Sequence, residues 1–148
     1  MKKILIILIA ALPFMMSCKM ESSDNGDLDG FWHLVQVDTI ANSKQTDLSQ
    51  EKVFWSFQKD LMQLRGSINQ EPLQEFYARF SMQGDHLSLT SLHLKDREKD
   101  DPLVDETTMP LIYPYGIHAS EETFSVIKLD NDEMILQNGK LRLKFSKM

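Results

Sequence analysis

One thiol, four imidazoles and a few clustered carboxylates are the groups in this 148-residue chain with side chains suited to chemistry. The imidazoles, His33, His86, His93 and His118, fall on different expected strands and loops. Neither His86 nor His93 has an i,i+2 or i,i+4 partner of the kind that shares a metal ion. They read as exposed strand and loop histidines. Asp100-Asp101 and Asp130/Asp132 sit where turn propensity accounts for them without general-acid work. Calcium at either pair would need a loop of alternating oxygen ligands, which neither has. No Gly-x-Ser-x-Gly elbow, Gly-rich phosphate loop or His-Glu-x-x-His run occurs. The expectation is a protein that is not an enzyme, with no metal and no cofactor. A hydrolase would need a carboxylate or histidine placed inside a cavity.

The thiol is Cys18, the sole cysteine, so no disulfide can form within the chain. It follows Met1-Lys2-Lys3 and an apolar run over residues 4–16, broken by Pro13. That run is shorter than the ~20 residues needed to span a bilayer, and its length and charged start fit an export signal. Met15-Met16-Ser17-Cys18 resembles the lipobox of bacterial lipoproteins, in which the cysteine after the cut carries a diacylglycerol thioether. Residues 1–17 are then expected to be a signal peptide and Cys18 the lipid attachment site. Each buried acyl CH₂ adds about 0.8 kcal/mol, so a multiply acylated terminus would hold the protein stably on a membrane. Lys19, rather than Asp, follows the cysteine, which on this resemblance favours the outer membrane. The expected address is the cell envelope of a Gram-negative bacterium, lipid-anchored and facing either the periplasm or the surface.

Residues 18–29 form the lipidated cysteine and an acidic, glycine-containing tether, and residues 30–148 form one domain. Lys19-Met20-Glu21 with Asp24, Asp27 and Asp29 loosely resembles the acidic export tag of some surface-displayed lipoproteins, or is a solvated linker. The net charge of −6 comes with scattered Lys and Arg, which makes nucleic acid a poor partner.

Short alternating runs separated by turn residues dominate the remainder. Strands are expected over 31–38, 53–57, 61–65, 76–82, 87–94, 123–129, 134–136 and 141–145. Gln83-Gly84-Asp85 and Asn138-Gly139 mark hairpins between them. Residues 95–101 read as a solvated charged loop. The proline-studded stretch 109–116 cannot be a central strand and is expected to lie across a barrel mouth. About eight strands joined by sequential hairpins close most readily into an all-β, antiparallel up-and-down barrel, which leaves no free edge. A sandwich is the alternative.

Gly30-Phe31-Trp32 at the start of the first strand resembles the G-x-W motif of lipocalins. The run of features from lipobox to terminal strand is similar to lipocalin-like bacterial lipoproteins of unknown function. The resemblance implies that Gly30 and Trp32 close the narrow end of the barrel, with a basic residue of the last strand over the indole. Arg142, Lys144 and Lys147 are the candidates. It departs from true lipocalins in lacking disulfides and a long helix before the final strand.

Trp55, Phe57, Phe76, Phe80, Met82, Phe124, Tyr113 and Tyr115 are the candidates to line a ligand site or to fill the core. Eight-stranded barrels sit at the size where side chains either fill the interior or leave room for one small ligand. The leading expectation is a lipid-anchored barrel binding a small apolar molecule. The alternative is a non-enzymatic envelope interaction module with a filled barrel, docking a protein partner through residues 109–117.

Overall fold

The computed structural model describes residues 24–148. The expected signal peptide and Cys18 lie outside them. Ten strands form one closed antiparallel sheet: β1 (Gly30–Thr39), β2 (Lys44–Asp47), β3 (Lys52–Gln58), β4 (Leu61–Ile68), β5 (Glu71–Pro72), β6 (Phe76–Gln83), β7 (His86–Leu94), β8 (Glu122–Leu129), β9 (Glu133–Gln137) and β10 (Leu141–Lys147). Each main strand pairs with the next in sequence, and β10 returns to pair with β1. Eight staves result, because β2 and β3 both lie along β1, and β5 and β6 both lie along β4. The expected eight-stranded barrel is the observed one. The short β2 and β5 fall outside the expected strands, and they are visible only through their backbone pairing.

Alternation places Val53, Trp55 and Phe57 inside on β3, Phe76, Ala78 and Phe80 on β6, and Leu141, Leu143 and Phe145 on β10. Three strands change phase partway. On β7 the inward residues are Leu87 and Leu89, then Leu92 and Leu94, and Ser91 at φ 52° supplies the extra residue. A register shift against β6 marks the same place. Similar shifts fall at Val35 on β1 and at Ile127 on β8. Such bulges bend a strand and raise its twist, which is how a small barrel turns its corners. They also explain the half-exposed Ile127, which is the inserted residue and has no inward direction left to it.

The strand expected over 61–65 is longer, since β4 runs on through Gly66 to Ile68. The partner of Gly66 is Val53, and a Cβ at this position would sit far inside van der Waals contact of the Lys52 carbonyl oxygen. The neighbouring backbone cannot move aside without breaking the β3–β4 ladder. Gly66→Ala is therefore expected to cost about 3 kcal/mol or more, through overpacking against main chain. Calorimetry should show a fall in Tm of roughly 10 °C. An unchanged Tm would mean the strand relaxes freely there.

Candidate functional site

The Trp32 end of the barrel is built from the first described residues. Gly30 has φ +110°, a region that side-chain-bearing residues avoid, and this turn delivers Trp32 into the barrel. Trp32 is fully buried and donates from Nε1 to the Leu28 carbonyl at 2.8 Å. Of the three basic candidates, Lys147 is the one over the indole, with Nζ 4.9 Å from the ring centroid. The same ammonium donates to the Asp27 carbonyl at 2.7 Å. Leu28, placed in the tether by its polar neighbours, is instead fully buried at the end of a 3₁₀ turn, Gly26–Leu28. The fold thus begins before Gly30, because the Leu28 side chain is buried in the core and its carbonyl accepts the indole N–H.

The interior is packed with rings. Trp55 on β3 meets Phe145 on β10 at 4.9 Å and Phe124 on β8 at 6.0 Å, both edge-on. Phe57 stands edge-on to Phe80 at 5.0 Å. The Trp55–Phe124 contact spans the barrel from β3 to the opposite β8, and the other two bridge strands two staves apart, so the rings occupy the space a ligand would take. Trp55, Phe57, Phe76, Phe80, Phe124 and Tyr115 all lie in the buried core, and Met82 is partly buried against it.

The mouth opposite Trp32 is closed by the excursion between β7 and β8. Residues 102–104 first run along the end of β7, through the Leu94–Pro102, His93–Leu103 and Val104–Leu92 pairings. The chain then forms a seven-residue 3₁₀ helix, Met109–Tyr115, entered by Pro110 and ended by Gly116 at φ +81°. Ile112, Tyr115 and Ile117 from this segment point into the core and are fully buried. Two hydrogen bonds pin it: the Trp55 indole donates to the Tyr115 carbonyl at 3.1 Å, and the Tyr115 hydroxyl donates to the Gln74 carbonyl at 2.9 Å. The Tyr115 ring stands edge-on to Phe76 at 6.0 Å. Burial pushes its phenol pKa up, with the charge of Glu75 adding to the effect. At the root of the excursion Asp105 caps the turn to Thr107 and Thr108. Those bonds, Thr107's first, hold its carboxyl down to about 2.

Tyr113 is the member of the aromatic set outside the core. It is 43% exposed and its ring lies 4.7 Å from that of His118. With Leu111, 47% exposed, it forms the outer face of the plug. Ile112 and Ile117 complete the plug, and an irregular, proline-interrupted segment gives no period from which their burial could be read.

Among the described residues no three His, Cys, Asp or Glu side chains gather as a metal ion would need, and one open cleft on the wall is lined by Arg79, His93, Arg97, Asp100 and Asp101. A ring nitrogen of His33 bonds the Glu51 carbonyl and one of His93 bonds the Asp101 carbonyl, each at 2.7 Å. His86 contacts Asp85 on the surface. Asp130 caps the β8–β9 turn through the Asp132 and Glu133 amides, which lowers its pKa. Asp100 and Asp101 both have left-handed backbones in the loop after β7.

A family model described as a lipocalin-like domain matches residues 13–148. Among solved structures, a lipocalin-like protein from Bacteroides uniformis ATCC 8492 aligns with a TM-score of 0.62 at 23% identity, covering 83% of this chain and 100% of that one. An uncharacterized protein from Bacteroides eggerthii DSM 20697 also aligns with a TM-score of 0.62, at 20% identity, covering 82% of this chain and 99% of that one. No curated protein matches the chain. At these identities the structural likeness concerns the fold.

Proposed function

This chain belongs to the lipocalin-like domain family, and from that premise we propose that it is a lipid-anchored, non-enzymatic envelope protein whose barrel is filled and whose outer plug face docks a protein partner. The observation that carries the proposal is the plug. Ile112, Tyr115 and Ile117 occupy the mouth from inside, while Leu111 and Tyr113 on the same turn face solvent. A segment fixed by core burial presents those two apolar side chains with little ordering left to lose, which favours docking.

The anchor gives this face a direction. Asp24 begins the described chain near the Trp32 end, where Asn25 donates to the Lys59 carbonyl. Five residues lie between it and Cys18, a reach of about 20 Å at most. With lipid on Cys18, the Trp32 end would face the outer membrane and the plug would point away from it. The dispersed histidines and turn carboxylates support a non-catalytic role. A small apolar ligand is the competing reading, and it requires the plug to leave the mouth.

Photo-crosslinking in intact envelopes separates the two. Photoreactive residues at positions 111 and 113 should each give a discrete adduct that a probe at Ile127, exposed on the barrel wall, does not. Stoichiometric displacement of a fluorescent fatty acid from the full chain, with no adduct at 111 or 113, would overturn the docking proposal. In the same cells Cys18→Ser should move the protein from the membrane to the soluble fraction.

A further inference from the structure

On the outer wall, Gln45 of β2, Asp38 of β1, Arg142 of β10 and Gln137 of β9 form one row, each the register partner of the next. At about 4.8 Å between strands the row is roughly 14 Å long. With Thr39 at the end of β1, and Ile40 and Ser43 of the β1–β2 turn, it lines a groove of about 370 Å³.

Arg142 Nε is the one buried side-chain nitrogen or oxygen among the described residues that lacks a hydrogen-bond partner. Protein atoms enclose that nitrogen, so the groove meets the rest of the guanidinium, which lines it and makes no hydrogen bond or ion pair with the described residues. Asp38 stands directly across the ladder but does not pair with it; its Oδ1 accepts from Gln36 Nε2 at 2.6 Å instead. Lys144 shares the Arg142 face two residues along, and Lys44 and Lys140 stand at the adjoining hairpin ends.

We propose that this groove binds an oxyanion, a carboxylate or phosphate group, held by the Arg142 guanidinium with the Gln45 and Gln137 amides as further donors. The planar guanidinium fork matches two oxygens of such a group, and each amide brings two N–H donors. Half-exposed Ile40 offers apolar contact to whatever carries the anion. Asp38 is the opposing charge, so its neutralisation strengthens the site.

The test is an NMR titration of the full chain in detergent micelles with sodium phosphate or sodium acetate at constant ionic strength, with chloride as control. Saturable shifts of the Arg142 Nε–H and of the Gln45 and Gln137 side-chain amides are expected. A response to phosphate only, or to acetate only, assigns the class of anion. Arg142→Gln should weaken binding about tenfold or more, with the core resonances unmoved, and Asp38→Asn should tighten it. The proposal is overturned by no saturable shift with either anion, by equal shifts with chloride, or by unchanged affinity in Arg142→Gln. An Arg142 Nε–H bonded to the Asp38 carboxylate in solution would overturn it as well.

Discussion

Replacing Tyr115 with alanine is expected to lower the unfolding free energy by about 3–5 kcal/mol and to loosen the plug from the barrel mouth. The side chain is fully buried, its ring meets Phe76, and its hydroxyl holds the Gln74 carbonyl. Truncation removes all three supports and leaves an apolar space lined by rings. Tyr115→Phe removes only the hydroxyl and should cost about 1 kcal/mol. Denaturant unfolding of the two variants gives both numbers, and equal losses would show that the ring itself contributes little. The alanine variant should also gain a thermal shift with a small aromatic such as indole, which wild type lacks, because apolar cavities in proteins accept such guests. A wild type that shows the same shift would mean the mouth opens unaided, and the filled-barrel proposal would fall with it.

Trp32→Ala is expected to be of similar size, about 3–5 kcal/mol, at the other end of the barrel. Folded domains have only about 5–15 kcal/mol in hand, so either loss is a large fraction of the total. The indole carries the hydrogen bond to Leu28 and the platform under Lys147, so its removal also frees residues 24–29. Hydrogen exchange should therefore rise at Gly26–Leu28 and at the end of β10 before it rises elsewhere. Lys147→Met keeps the aliphatic contact and removes the charge; it should cost at most about 1–2 kcal/mol. If the methionine variant loses as much as the alanine variant of Trp32, the ammonium rather than the indole closes this end.

Much of the barrel is written in local signals. Val53, Trp55 and Phe57, or Leu141, Leu143 and Phe145, alternate because a strand facing a core on one side must, and Asn138-Gly139 specifies its own hairpin. The three bulges were harder to see. The switch from Leu87 and Leu89 to Leu92 and Leu94 is present in the spacing, but it acquires meaning only when the β6–β7 register reveals Ser91 as the extra residue. Leu28 was hidden by acidic neighbours, and Ile112 and Ile117 by a segment with no period. Among the basic residues of β10 nothing local separates Arg142, Lys144 and Lys147. Their different fates depend on which of them reaches Trp32 from the adjoining strand.

Side-chain alternation and turn chemistry are properties of a few neighbouring residues, and they suffice for about eight antiparallel strands in sequential hairpins, favouring a barrel while leaving a sandwich open. Closure of the sheet is what sets Lys147 over Trp32, carries the excursion after β7 into the mouth, and leaves Arg142 beside a groove without a partner. Each of those depends on residues far apart in the chain being brought face to face by the shear and curvature of the closed sheet, which no local pattern encodes.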